Sequence, residues 1–528
     1  MPPFIYKKLR DKESIRLLEI IPCEAPAAGS VASRPHLYNI VELSLEYDFT
    51  WRRSEPEYET VSYVWGTAER TERLSLANGL YVMITTTLRD ALPYITAASR
   101  IGFLWIDQIC INQDDIEERN QQVLLMGSIY KKKRCLIWLG MADPHTHYLD
   151  SQFRLRVVER ELPWRESEYP ISQMGYLRHG NEQATAALRI GGASLVPEWM
   201  AIFLRPWFRR AWVFQEASLS HSALFIAEDD HFAFQTLDES LYGVIRSIET
   251  SRGVLSAEIY RGMISFMSIC NVNRSMNPMD RGGPPTIQMS QLLASVAGKY
   301  DAHDPRDLVY AFMGVLSDGF WALGSLFLEP DYTLSVVRVY IDATKALIAR
   351  DGNLSILQEF WYDTETIIEG VKMPSWVLVP SRLPGGRPVG RGTESSSRIS
   401  YARFGDHNNI QDPERPLELI TIGRVIATIK YSSKAVQHYL RGETAFLEDT
   451  NTLSRSTSAF MTTLHEWGSG PYTIQPEDLV CILKGSSVPV VLRRCGLERY
   501  SYVGACHYME ADNEIYDTED GMQTMILV

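Results

Sequence analysis

IGFLWIDQICINQ, residues 101–113, is the stretch on which the fold reading turns. Ile101 to Ile106 is almost unbroken apolar sequence, the pattern of a strand covered on both faces in a parallel sheet. At Asp107 the character changes to polar, as it does where a strand leaves a core. Upstream, residues 86–98 read as an amphipathic helix. Thr86 or Thr87 caps it, and Leu88, Ala91, Leu92, Ile95 and Ala98 share one face. Before that, Val61 to Val64 is a short β-prone run that ends at Trp65-Gly66. Downstream, a helix starts near Asp114 with Ile116, Val123, Met126 and Tyr130 on its apolar side. Acids crowd its start and Lys131 to Lys133 its end, as the helix dipole favours. Residues 135–139 (CLIWL) are a second buried-type strand ended by Gly140. A helix near 205–219 and a strand over 223–227 (ALFIA) follow. This alternation predicts an α/β fold with a doubly wound, mostly parallel sheet.

The chain has 528 residues, more than one core of about 250–300 residues accommodates. Residues 1–57 read as a lead-in and 58–230 as the α/β domain, with a polar insertion at about 141–200. Residues 231–380 read as mainly helical. The clearest helix there is 335–350, closed by Asp351-Gly352, and 271–287 is a loop by its Asn, Pro and Gly content. Residues 381–415 have the composition of a flexible linker. Residues 416–528 read as a C-terminal part with a small antiparallel meander over 478–508. Glu510, Asp512, Glu514, Asp517, Glu519 and Asp520 then form an acidic, solvated tail.

Apolar residues at 45% and charged residues at 22% fit a globular protein and exclude a disordered or fibrous one. A net charge of −13 argues against bare nucleic acid as the main partner. The seven cysteines are odd in number, scattered and without a CxxC, so neither a disulfide framework nor a zinc site is expected. The N-terminal sequence lacks a signal-peptide h-region, and no apolar run reaches the roughly 18 residues of a membrane span. The expected location is the cytoplasm, with the nucleus equally compatible.

Three clusters could carry chemistry. Val61 to Gly66 and Leu104 to Gln113 both place polar groups where a strand ends. In doubly wound sheets that carboxyl-end edge is where ligands bind. The third is Arg205 to Glu216. On one continuous helix Arg209, Trp212 and Glu216 would share a face, setting a carboxylate beside an aromatic wall and an Arg. Each has a plainer reading. Trp65, Trp105, Trp207 and Trp212 also read as core, Asp107 as a turn cap, Cys110 as an inert buried thiol, and Glu216 as the partner of Arg209 or Arg205. No phosphate-binding GxxxxGK[ST], no GxSxG and no HExxH occurs.

At these clusters the chain resembles the heterokaryon-incompatibility (HET) domain family of filamentous fungi. Ser62 to Gly66 matches its Ser-Tyr-x-Trp-Gly block. Trp105 to Gln113, with Asp114, Asp115, Glu118 and Arg119, matches its Trp-Ile-Asp-x-x-Cys-Ile-Asn-Gln block. Arg205, Trp207, Arg210, Trp212, Gln215 and Glu216 match the third. Downstream, Asp304-Pro305-Arg306-Asp307, Tyr310-Ala311 and Gly314 are similar to a block usual after the domain. Glu228 departs from the Cys-Gly often found after the last strand.

HET domains are in turn remotely similar to TIR domains. Tyr58 to Gly66 is similar to the first TIR strand and turn, and Trp212 to Glu216 to the stretch that carries the catalytic Glu of plant TIR domains. The resemblance implies a TIR/flavodoxin-like fold and a cell-death signalling protein of non-self recognition, an innate-immunity type of role. It further implies protein partners, self-association, and NAD as substrate rather than a bound cofactor. It puts the catalytic role on Glu216 and ligand contacts on Ser62, Tyr63, Trp65, Gly66, Asp107, Asn112, Gln113, Arg209 and Trp212. The alternative is a non-enzymatic protein–protein interaction module acting as a death-signalling scaffold.

Overall fold

A computed structural model describes residues 1–22, 36–45, 57–67, 69–131, 133–160, 198–241, 256–276, 298–316, 328–354, 356–357, 366–379, 418–432, 457–486, 488–508 and 521–528. The 381–415 linker, the acidic run over 510–520 and most of the 141–200 insertion lie outside these residues. The same holds for the 277–287 part of the expected loop.

The N-terminal half is built on a seven-stranded sheet. Its strands are β1 (Ser14–Pro22), β2 (His36–Ser44), β3 (Glu59–Ser62), β6 (Phe103–Trp105), β7 (Arg134–Trp138), β8 (Ser222–Ala227) and β9 (Asp230–Ala233). The small hairpin of β4 (Glu72–Ser75) and β5 (Tyr81–Ile84) stands apart from it. The sheet order is β2-β1-β6-β3-β7-β8-β9. Its four central strands pair in parallel, and β2, β1 and β9 add antiparallel edges. The sheet is therefore mixed, with a parallel centre. Counted along the chain, the parallel strands lie 2-1-3-4, so the order reverses at β3.

The segment expected as a lead-in supplies two of these strands. β1 alternates Leu17 and Leu18 toward opposite faces, and both are buried. A nine-residue antiparallel ladder ties β2 to it.

Helices cover both faces of the sheet. Helix α1 (Thr86–Ala98) packs with the β4–β5 hairpin on the face carrying Val61, Tyr63, Leu104, Ile106 and Leu136. Its cap is Thr85, whose side chain accepts from the Leu88 amide, one residue earlier than the sequence suggested. A single turn, α2 (Asp107–Cys110), follows β6, and α3 (Ile116–Tyr130) covers the other face with Asp115 as its N-cap. α4 (Pro144–Arg160) gives the start of the insertion a helix. The weak apolar pattern there hid it.

The expected helix over 205–219 is broken. A 3₁₀ turn spans Pro206–Arg209, Arg210 is extended (φ −71°, ψ 130°), and α5 covers only Val213–Ser218. The cause is distant in sequence: the Asp301 amide donates to the Arg209 carbonyl (2.5 Å), and the Ala211 amide donates to the Asp301 carbonyl (2.9 Å).

The described part of 231–380 holds α6 (Ala257–Met276), α7 (Asp307–Met313) and α8 (Val336–Asp351), with a two-residue hairpin, β10 (Ile367–Ile368) and β11 (Val371–Lys372). Residues 271–276, expected as loop, are the last turns of α6. There Asn273 donates to the carbonyls of Ala217, Ser218 and Ser220. α8 begins at the Ser335 cap and ends at a left-handed Gly352.

The C-terminal part is an eight-stranded sheet. It contains β12 (Leu419–Ser432), β13 (Thr457–Thr462), β14 (Trp467–Pro471), β15 (Leu479–Leu483), β16 (Val490–Arg494), β17 (Arg499–Ala505), β18 (His507–Tyr508) and β19 (Gln523–Leu527). The meander expected over 478–508 is β15, β16 and β17. β12 pairs with both β15 and β19, which closes β12, β15, β16, β17 and β19 into a ring. Every pairing is antiparallel except the two-residue seam between β17 and β19. The chain beyond the acidic run is thus no solvated tail: β19 buries Met525 and Leu527. Leu419, Cys481, Leu492, Tyr502 and Met525, one from each ring strand, belong to the same apolar core as Trp207 and Phe225. Among the described residues no helix is long and apolar enough to cross a membrane.

Candidate functional site

A buried carboxylate stands at each end of β3, and the two differ in kind. At the amino end Glu59 is saturated: it receives Arg134, the Ser99 hydroxyl and the amides of Arg100 and Ile101. That is a structural anchor. At the carboxyl end Ser62 meets Glu216, and the groups around this second pair are less completely matched.

The Ser62 hydroxyl donates to Glu216 Oε2 and accepts from the Trp207 indole (2.8 Å). Arg210 reaches three groups: the Tyr63 carbonyl (2.7 Å), Glu216 Oε1 (3.2 Å) and Asp107 Oδ2 (3.4 Å). Asp107 opens the turn after β6. It also receives the Trp65 indole (2.8 Å) and the Gln108 amide (2.8 Å). One guanidinium therefore sits between two carboxylates, Asp107 delivered by the turn after β6 and Glu216 by α5. This is the carboxyl edge of the sheet at its order reversal, where open α/β sheets hold ligands.

Burial decides how the cluster behaves. Glu216 is 1% exposed, while the side chains of Arg210 and Asp107 keep 19% and 12%. Loss of water pushes the Glu216 carboxyl up to about 7; Arg210 and Ser62 pull it down and Asp107 pushes it further up. Glu216 thus changes charge near neutral pH, the behaviour wanted of a proton carrier. Tyr63 is fully buried with its hydroxyl close to Asp107, and Gln108 Nε2 is buried without a hydrogen-bond partner among the described residues.

A stability effect follows with a definite sign. Between the ordinary carboxylate value of 4.5 and about 7, the folded chain holds a proton at Glu216 that the unfolded chain has lost. The Glu216 contribution is therefore fullest below pH 4.5 and disappears as pH rises through 7, by on the order of 3 kcal/mol. The wild type should lose melting temperature relative to Glu216→Gln between pH 5 and 7.5. Parallel curves for the two proteins would rule the shift out.

Other residues named from sequence take different places. Gln113 donates to the Asp107 carbonyl (2.9 Å) and so braces the turn. The Asn112 side chain accepts from the Asp114 amide (3.4 Å), and its own amide is held by Glu118. Trp212 is half-buried and turned toward Asp307. Arg209 is not brought to the cluster, because the break in the helix rotates it away and leaves Arg210 there. Cys110 is buried, with its thiol pushed up to about 12 by burial, which makes it inert. Trp105 and Trp207 are core, and Trp65 and Trp212 are only half-buried. Sequence reasoning gave no site role to Arg210, Trp207 or Gln108. Arg210 was visible only as a position of the third block.

Gly66 closes the first cluster in a left-handed turn at φ +72°. A Cβ there would come within 2.5 Å of Thr87 Oγ1. Gly66→Ala is expected to cost about 1–3 kcal/mol, read as a lower urea midpoint. An unchanged midpoint would show the turn to be unstrained.

Among the described residues His147, Asp150 and Asp230 bring ligand atoms within 4.8 Å of one another. His147 and the Thr146 hydroxyl already hydrogen-bond both Asp230 oxygens (3.1 and 3.0 Å), and we assign no metal to them.

Residues 58–216 match the family model described as "Heterokaryon incompatibility protein (HET)". Over 339 residues the chain is 25% identical to "Heterokaryon incompatibility protein 6, OR allele" of Neurospora crassa. That similarity covers 57% of this chain and 48% of the relative, so the chain spans about half the relative's length. No solved structure matches.

Proposed function

We propose, starting from the heterokaryon-incompatibility match, that this protein triggers cell death on non-self recognition, with Ser62, Asp107, Arg210 and Glu216 as its working centre. The observation that carries the proposal is Glu216 itself. It is a carboxyl poised near pH 7, held by Ser62 and Arg210 where the strand order reverses. The 2-1-3-4 order of the parallel strands is also that of flavodoxin-like sheets, as a remote kinship with TIR domains requires.

The chemistry we assign is hydrolysis of NAD. The bond between nicotinamide and ribose C1′ breaks, water adds at C1′, and nicotinamide, ADP-ribose and a proton are released. The route resembles glycoside cleavage, with positive charge developing on the ribose. Ionised Glu216 would stabilise that charge and take the proton from the attacking water. The Arg210 fork suits a pyrophosphate. In taking one it would release Glu216 from its present ion pair and open the way to the carboxylate. Trp65, half-buried at the rim, offers a ring face for a base.

The test is nicotinamide release from NAD by the purified full chain, concentrated or crowded, alongside loss of viability on expression in a fungal host. Killing without NAD consumption would remove the enzymatic part. A second reading has its own support, since Glu216 is 1% exposed. In that reading the cluster is a strut that fixes the shape of a docking module. Killing would then survive Glu216→Gln and fail when assembly is blocked.

A further inference from the structure

We propose that residues 300–314 belong to the working centre, and that Asp307 is a positioning residue through which the C-terminal half of the chain sets the geometry of Arg210 and Glu216. The inference rests on the reading of that cluster as the working centre.

The stretch from Arg209 to Glu216 has two sides. Arg210 and Glu216 face the strand ends. The other side is held by the 300–314 segment at four points. Asp301 pairs with the backbone of Arg209 and Ala211. The Phe214 ring packs on Tyr300 and Phe312, with centroids 5.8 and 5.0 Å away. Gln215 Oε1 accepts from the Gly314 amide (3.0 Å), where an added Cβ would fall 2.4 Å from the Gln215 side chain. The Trp212 indole is near enough to Asp307 to help pull its carboxyl down against the rise that burial causes.

These contacts close a circuit. The Asp307 carboxyl also accepts from the Tyr332 hydroxyl (2.6 Å). The Tyr332 ring lies under the Arg119 guanidinium (4.0 Å), and its amide donates to Asn120 Oδ1 (3.2 Å). Arg119 and Asn120 are on α3, which follows directly from the turn bearing Asp107. The path runs from Asp107 through α3 to Tyr332 and Asp307, then to Trp212, two residues along the chain from Arg210, and from Arg210 back to Asp107. A partly buried polar circuit has few arrangements in which every member is satisfied, so moving one member moves the others. The family match ends at Glu216, whereas the circuit draws on residues about 90 to 115 positions further along.

The test reads Glu216 without any substrate. In each background, the melting temperature of the protein minus that of its Glu216→Gln counterpart is followed against pH. This subtraction cancels the titration of Asp307 itself. The groups facing Glu216 are Ser62, Arg210, Asp107, Tyr63, Tyr130 and Cys135; those facing Asp307 are Trp212, Tyr332, Tyr340, Asp304 and Arg210. Asp307→Ala and Trp212→Phe should each move the Glu216 inflection by about half a pH unit or more. The double variant should move it no further than either single one. Asp307→Asn keeps an acceptor for Trp212 and should restore the wild-type inflection. A role in stability alone would lower every melting temperature and leave the inflection in place, which overturns the proposal. Should Asp307→Ala not fold, Trp212→Phe carries the same readout. If the wild type releases no nicotinamide, the NAD reading falls while this measurement still stands or fails separately.

Discussion

Nicotinamide release from NAD is expected to fall by about 10³-fold in Glu216→Gln, the size of a lost general base, with the fold intact. Gln is the informative replacement because it keeps the volume and leaves an acceptor for Ser62 and Arg210. It removes the charge and the titration near pH 7. Ala would remove those as well, but it would also strand Arg210 beside a cavity and mix a folding defect with a chemical one. The activity of the wild type should rise with pH through about 7, because the ionised carboxylate is the working form. Full activity in Glu216→Gln, or a rate flat from pH 5.5 to 8.5, would take the catalytic role away from this residue.

Arg210→Ala should be the most damaging single change to stability in the α/β half. Two carboxylates would be left facing each other across the space the guanidinium filled, at a cost of about 3–5 kcal/mol near pH 8. At pH 5 the loss should be smaller, since Glu216 is then protonated. The surface pair Arg338–Asp342 supplies the control. It joins an exposed Arg to a partly exposed Asp, and Arg338→Ala should change stability by only about 0–1 kcal/mol. Urea unfolding of both variants at the two pH values makes the comparison. A loss in Arg210→Ala no larger than the control's would mean that the cluster holds nothing together.

The parts of this architecture legible in sequence are those set by local pattern. The IGFLWI and CLIWL runs announce the parallel centre, and residues 86–98 fix α1 because apolar spacing and a Thr cap agree. Ser62 and Asp107 could be placed together because each ends or follows a buried strand, whereas Glu216, on a helix, joined them through the family resemblance. Other features depend on partners far along the chain. Arg209 and Arg210 cannot be told apart locally: Asp301 breaks the helix between them, and only then does the second Arg face Asp107. β1 and β2 were hidden because their ladder partner and the sheet they join lie outside their own window. The strand after the acidic run was passed over because its neighbours dominate the local charge. The Asp304-Pro305-Arg306-Asp307 block was noticed as a pattern, but nothing in its spacing reveals that Asp307 turns toward Trp212.

The closed C-terminal ring bears on how that half of the molecule can meet other chains. A ring has no vacant ladder, so an incoming extended peptide cannot simply lengthen it. It has one thin closure, where β17 and β19 share only two paired positions, reinforced by the Ile526 amide on Glu498 and the Val528 amide on Tyr500. Thermal breathing would begin there, because the fewest hydrogen bonds must part. Once parted, β17 and β19 would each offer a naked rim to the same strands of another molecule. A ring closed in its resting form thereby keeps a latent route to exchange between copies.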